Sequence, residues 1–199
     1  MSSSPSLNEP LFFERIFVEK RWGGGRLPIL LNDNPPFSGP VGESWEVSDV
    51  PGQETPILGG PHEGKLLHQL VESHREDLLG ESKLDPRGRF PILVKFLEAE
   101  DSLSLQVHPP DGPLSPNGVG KDEAWGFLEA SPDASVVCGL EEDTEFEDFR
   151  AACLEVPIKR KLLQSMLRKV AVKAGDLLPV QSGTVHAVSP GVVLCEFQQ

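Results

Sequence analysis

Three closely spaced glycine turns near the end of the chain limit its fold more than any other feature. Gly175-Asp176, Ser182-Gly183 and Pro190-Gly191 separate the short segments Leu167–Val172, Leu177–Val180, Thr184–Val188 and Val192–Gln198. Segments of this length are too short for stable helices but ordinary for strands. Strands joined by tight turns run antiparallel. The expected fold is therefore mainly β: an antiparallel sandwich or barrel with a few short helices. The 19 glycines and 19 prolines agree, since both residues favour turns over long helices.

The rest of the chain adds strands and a few helices. Residues 12–18 form a short apolar run, and Gly42–Ser48 alternates in strand fashion. The intervening Arg21-Trp22-Gly23-Gly24-Gly25 is too glycine-rich for a regular element by this reading. A helix is expected over about Lys65–His74, with Leu66, Leu67, Leu70, Val71 and His74 as its apolar stripe. A short turn of helix follows at Arg75–Leu79, stopped by Gly80. Strands are expected at Pro91–Leu97, Ser102–Val107, Ala124–Leu128 and Ala134–Gly139. Thr144-Glu145-Phe146-Glu147 has the form of a capping box opening a helix to about Cys153. Val156-Pro157 is read as the start of another helix, to about Met166. The domain reading is a flexible lead over 1–10, then one metal-binding unit over 11–199 with a helical insertion near 144–166.

Charge and cysteine content exclude several classes. The formal net charge of −13 opposes bulk binding of nucleic acid, which needs clustered cations. It leaves room for a local cationic pocket. No apolar run is long enough for a membrane span, and the polar start carries no signal pattern. Cys138, Cys153 and Cys195 are widely spaced, without a CxxC pair, and read as packed thiols in a reducing compartment. Cytoplasmic residence is expected.

Four stretches carry polar residues where a strand would bury them. On a strand, Ser104, Gln106 and His108 share one face. They either bind something or line a wetted edge strand, because buried polar groups without partners are costly. Lys121, Glu123 and Trp125 share a face farther on, although a lone Lys-x-Glu is usually a solvated pair. His186 follows the Gly183 turn, and Glu196 and Gln198 share a face of the last segment. Gln106, His108, Glu123 and His186 together offer an amide oxygen, two imidazoles and a carboxylate. Such a set suits zinc, with iron or manganese poorer fits. With no thiolate, an open site accepting water or substrate is expected rather than a closed structural one. His62, His68 and His74 fall outside these motifs and are read as non-ligands. Trp22, Trp45 and Trp125 are read as packing residues, and Glu141-Glu142-Asp143 as a solvated loop.

The motifs, in their order, resemble the type I phosphomannose isomerase family of the cupin superfamily. The matching stretches are Trp22-Gly23-Gly24, Gly42–Ser48, Pro91–Phe96, Leu103–Pro109, Gly120–Trp125, Gly183–Ala187 and Glu196–Gln199. The resemblance implies a cupin-type sandwich or jelly roll. It implies interconversion of mannose 6-phosphate and fructose 6-phosphate through an enediolate, with a sugar phosphate as the small-molecule partner. The family's metal ligands map onto Gln106, His108, Glu123 and His186. Its pocket residues map onto Lys95, Ser104, Lys121 and Glu196. Lys121 and Glu196 are the expected proton-handling residues, with a metal-bound water as a third option, and Lys95 and Ser104 the expected substrate-positioning ones. Gln181 stands where the family's second motif usually carries proline. The family continues past this chain's final stretch into a Ser/Asp-x-Thr-x-Arg segment with an active-site arginine. The chain ends at Gln199 and is therefore expected to be a fragment. The alternative is a non-catalytic cupin, or a fragment, that binds metal and a sugar phosphate without turnover.

Overall fold

A computed structural model describes residue 7 and residues 9–199; most of the lead expected over 1–10 lies outside the described residues. The elements in order are β1 (Ile16–Gly24), α1 (Arg26–Leu30), β2 (Val41–Val47), α2 (Leu67–Ser73), α3 (Arg75–Leu79), β3 (Leu93–Ala99), β4 (Glu123–Ala130) and β5 (Ser135–Leu140). They continue with α4 (Phe146–Leu154), α5 (Arg160–Ser165), β6 (Leu167–Ala171), β7 (Leu177–Val180), β8 (His186–Val188) and β9 (Val192–Gln198). The strands form two sheets, one ordered β1-β2-β3-β9-β4-β7 and the other β6-β5-β8. Every strand pair is antiparallel. The mainly β reading holds.

One apolar cluster joins the two sheets. Leu97, Trp125, Phe127, Val192 and Leu194 of the large sheet pack with Val136, Cys138 and Val188 of the small one. Removing each such side chain from water stabilises the fold by roughly 1.5–3 kcal/mol. The alternation of strand side chains then decides what the site contains. Along β4, Glu123, Trp125 and Phe127 are buried while Ala124 and Gly126 are less so, so Glu123 shares the inner face with the core.

The glycine turns explain the close packing of the last strands. Gly175, Gly183 and Gly191 have φ of 90°, 85° and 89°, a region where a Cβ would be strained. The Gln181 turn closes without proline, through the Thr184 N–H donating to the Gln181 carbonyl at 3.1 Å.

Four sequence expectations are corrected. The Arg21–Gly25 stretch is not irregular: β1 runs through Gly24. A Cβ on Gly23 would strike the Val41 and Gly42 backbone, so glycine there permits the close approach of two strands. The Ser102–Val107 segment is not a full strand but an edge tied to β8. Only Gln106 pairs as a bridge, with His186, supported by the Leu103 N–H to Val188 carbonyl bond of 3.0 Å. The capping box does not form. Thr144 lies in a turn with its N–H on the Glu141 carbonyl, the helix begins one residue later than a Thr144 cap requires, and its N-cap Glu145 makes no side-chain capping bond. Finally, α5 starts at Arg160 and not at Pro157. Pro157 follows a cis peptide bond in a bend; a proline tolerates a first helical turn without imposing one.

A buried carboxylate fixes α1 to the large sheet. Glu98 Oε2 accepts the N–H groups of Arg26 at 2.9 Å and Leu27 at 2.8 Å, two of the donors a helix start leaves unpaired. At the far end, Arg89 bridges Asp49 and Glu54 at 3.1 and 3.0 Å, and His68 Nδ1 lies 3.2 Å from Asp49.

Candidate metal centre and active site

The polar residues singled out from the sequence converge between the sheets. A cavity of about 280 Å³ is lined by Lys20, Glu43, Lys95, Ser104, Gln106, Lys121, Glu123, Trp125, His186 and Glu196, among others. Larger clefts lie beside Leu7–Phe12 and beside Gln198-Gln199. Among the described residues, however, the group of potential donors consists of His108, Glu123 and His186, whose ligand atoms all lie within 4.8 Å of one another.

Each donor is placed by backbone pairing. Glu123 opens β4 and lies opposite Gln198 of β9 and Val180 of β7. His186 opens β8 and lies opposite both Cys138 and Gln106. His108 sits at the end of the 103–108 edge, and its carbonyl accepts the Gly183 N–H at 2.7 Å. Asp122 locks the two halves together, taking the Ser182 N–H at 2.6 Å on its carboxylate and the Gln199 N–H at 3.1 Å on its carbonyl.

The donor chemistry fits a divalent cation. His186 Nδ1 lies 2.9 Å from the Thr184 carbonyl. Only a protonated Nδ1 can make that bond, so in the neutral ring Nε2 is the nitrogen with the lone pair. Nε2 lies 3.8 Å from Glu123 Oε2. His108 Nε2 lies 3.4 Å from the other Glu123 oxygen. Burial, then the Lys121 ammonium and His186, pushes the His108 imidazole down to about 4, so it is neutral near pH 7. Gln106 lines the same cavity and is paired with His186 by reciprocal backbone bonds of 2.9 Å.

The flanking charges are paired rather than free. Lys121 is in close contact with Glu123 and 3.4 Å from His108 Nε2. Lys95 lies 2.6 Å from Glu196 Oε2. Burial acts to lower the Lys95 pKa, but Glu196 and then Glu43 outweigh it and hold the ammonium above its ordinary 10.5. Glu196 Oε1 accepts the Trp125 indole N–H at 3.2 Å, and that indole also reaches Glu123 at 3.1 Å. Ser104 stands exposed at the cavity rim. Cys195 is no nucleophile: burial, then Glu46 and Glu196, pushes its thiol up to about 11. The predicted residues thus come together. Lys20 and Glu43 were not singled out, although Glu43-Ser44-Trp45 repeats the Glu-x-Trp form of Glu123-Ala124-Trp125.

Known proteins resemble this chain over nearly its whole length. Residues 11–117 match the family described as phosphomannose isomerase type I, catalytic domain. The chain belongs to the type I phosphomannose isomerase family. Among phosphomannose isomerases it is 37% identical over 194 residues to mannose-6-phosphate isomerase ManA of Bacillus subtilis strain 168, covering 96% of this chain and 58% of that protein. It is likewise 37% identical to the mannose-6-phosphate isomerase of Streptococcus mutans, covering 96% of this chain and 58% of that protein. The solved mannose 6-phosphate isomerase of B. subtilis superposes with a TM-score of 0.82 at 32% identity, over 96% of this chain and 58% of that one. An Archaeoglobus fulgidus structure, a putative mannosephosphate isomerase, shares the fold with a TM-score of 0.73 at 24% identity, over 97% of this chain and 62% of that one. The chain spans under two thirds of the length of these curated relatives. Among the described residues no helix is long and apolar enough to cross a membrane.

Proposed function

We propose that this chain carries the metal centre and proton-transfer residues of an aldose–ketose isomerase acting on mannose 6-phosphate and fructose 6-phosphate. The observation that supports this most is the clustering of the His108, Glu123 and His186 ligand atoms within 4.8 Å of one another, beside the cavity that Glu123 and His186 line with Lys121 and Glu196. Gln106, His108, Glu123 and His186 would hold a zinc ion. When bound, zinc supplies Lewis-acid stabilisation of negative charge on the sugar oxygens.

Charge balance in the cavity favours an anionic sugar. Lys20, Lys95 and Lys121 are matched there by Glu43, Glu123 and Glu196, so the lining is neutral before a divalent ion is added. With the ion it carries two positive charges, which suits a phosphomonoester dianion. Such a local balance lets a −13 chain hold a phosphorylated substrate.

The residues divide the work by their surroundings. Glu196, held by Lys95 and Trp125, removes the proton from the carbon beside the carbonyl and returns it to the neighbouring carbon. Lys121, beside the metal donors, gives a proton to the carbonyl oxygen as charge develops there and takes one back from the neighbouring hydroxyl as the new carbonyl forms. Ser104, at the rim, is the group free to hydrogen-bond the substrate. Lys95 is already engaged with carboxylates, so it orients Glu196 rather than the sugar.

The test is a coupled assay for fructose 6-phosphate formation, with and without chelator, combined with metal analysis of His186→Ala. Turnover that chelator abolishes, with zinc lost in the variant, is expected. Bound zinc without turnover would overturn the isomerase reading, and full zinc content in His186→Ala would overturn the ligand set.

A further inference from the structure

The inner face of the large sheet carries a file of charges that runs past the metal donors. Glu43 on β2, Lys95 on β3, Glu196 on β9 and Glu123 on β4 follow one another across adjacent strands. The registers Trp45↔Lys95, Lys95↔Glu196 and Trp125↔Glu196 align them. Glu43, Lys95 and Glu196 are 6%, 7% and 3% exposed, so none of them is a solvated surface charge.

The file has two similar ends. At one, the Trp125 indole donates to Glu123, two residues earlier on the same face. At the other, the Trp45 indole donates to Glu43 at 2.7 Å, again two residues earlier. Glu123 faces the histidines as well as the Lys121 ammonium, whereas Glu43 faces two ammonium groups: Lys20 at 3.2 Å and Lys95 at 3.8 Å. Lys20, a third exposed, balances the otherwise surplus negative charge of Glu43. A buried ionic cluster persists only when its charges balance and its geometry is fixed.

We propose that Glu43, braced by Lys20 and the Trp45 indole, is a positioning residue for the reaction: it fixes the Lys95 ammonium that orients Glu196. This rests on the isomerase reading above. Lys95 makes its close contact with a single Glu196 oxygen, and one contact leaves a long side chain free to pivot. The Glu43 carboxylate on its other side removes that freedom. Glu196 is then held at both oxygens, by Trp125 on one and Lys95 on the other. Displacing a reacting group by about 1 Å is enough to slow a reaction by around a hundredfold.

The experiment measures kcat and KM for mannose 6-phosphate in the zinc-loaded protein and in Glu43→Gln, Glu43→Asp, Lys20→Met and the Glu43→Gln/Lys20→Met double variant. Glutamine keeps an acceptor for the Trp45 indole. It should lower kcat by about ten- to a hundredfold while KM stays within about threefold. Aspartate should recover part of the loss, and Lys20→Met should add nothing once Glu43 is gone. A second readout needs no turnover: the 15N signal of the Lys95 ammonium, assigned by its absence in Lys95→Arg. It should be sharp and slowly exchanging in the parent and broadened in Glu43→Gln. An unchanged kcat, a KM that rises as kcat falls, additive losses, or an unaltered Lys95 signal would each overturn the proposal. If the zinc-loaded parent shows no turnover, the isomerase reading fails, and the Lys95 signal still decides whether Glu43 holds that ammonium. If Glu43→Gln does not fold, Lys20→Met gives the same test, with a smaller kcat loss at constant KM.

Discussion

Replacing Glu98 by alanine measures how firmly one carboxylate holds α1 to the sheet. A single oxygen, Oε2, receives both the Arg26 and the Leu27 N–H. Leu27 is 1% exposed and Glu98 4%, so water cannot replace the lost acceptor. Hydrogen bonds to a charged partner contribute roughly 1.5–3 kcal/mol each. A helix of this length has no stability of its own to fall back on. Relief from burying the carboxylate offsets part of the loss, and Glu98→Ala should cost about 3 kcal/mol. Glu98→Gln should cost about 1–2 kcal/mol, because one amide oxygen can still accept both bonds without the charge. In urea unfolding followed by tryptophan fluorescence, the midpoints should fall in the order parent, Gln, Ala with unchanged slope. In thermal unfolding, alanine should lower Tm by about 6–12 °C. A Cβ on Gly24 would collide with the same carboxylate, so Gly24→Ala should be less harmful in the Glu98→Ala background than in the parent. The reasoning is refuted if alanine lies within about 1 kcal/mol of the parent or if glutamine is as damaging as alanine.

Other perturbations test the site. Zinc at a hundredfold excess over its dissociation constant should stabilise the protein by about 2.7 kcal/mol, raising Tm, and His186→Ala should abolish the rise in a scanning calorimeter. The metal-free protein should lose stability as pH falls from 6.5 towards about 4, because the unfolded chain takes up a proton there that folded His108 refuses; His108→Gln should flatten that part of the profile. Lys95 acts at the other extreme: its stabilisation is fully present below pH 10.5 and lost as pH rises through its higher folded value, so Lys95→Met should flatten the alkaline limb of a urea-midpoint series. Gly42→Ala would place a Cβ 2.5 Å from Lys20 Cβ and 2.9 Å from Trp22 Cζ3. It should cost about 1–3 kcal/mol and shift Lys20 from Glu43, seen as a lower kcat with the fold intact by circular dichroism.

What the sequence could and could not show follows from the range of the forces involved. The last four strands were legible because Gly175, Gly183 and Gly191 state their backbone conformation locally. The candidate donors Glu123 and His186 were legible as polar residues at inward strand positions, and His108 by sharing a side with Ser104 and Gln106. The 103–108 edge was harder, because its pairing depends on β8, far away in sequence, rather than on its own alternation. Gly23 and Gly24 were misjudged for the same reason: their value lies in the Val41-Gly42 backbone and in the Glu98 and Glu100 carboxylates respectively, which a local reading cannot place. Glu43 stayed hidden because one acidic residue in a strand looks solvated until Lys20 and Lys95, from the strands on either side, are seen against it.

The two sheets each contribute part of the candidate metal centre. Glu123 belongs to the large sheet, while His186 begins a strand of the small one and His108 lies on the edge beside it. An ion held by these side chains would therefore cross-link the layers. Like a disulfide, it would tie together residues distant in sequence, but it would stabilise by binding the folded chain and would leave on unfolding. Prying the layers apart at this mouth and releasing the ion would then be a single event, so a bound ion would limit how far the cavity can widen.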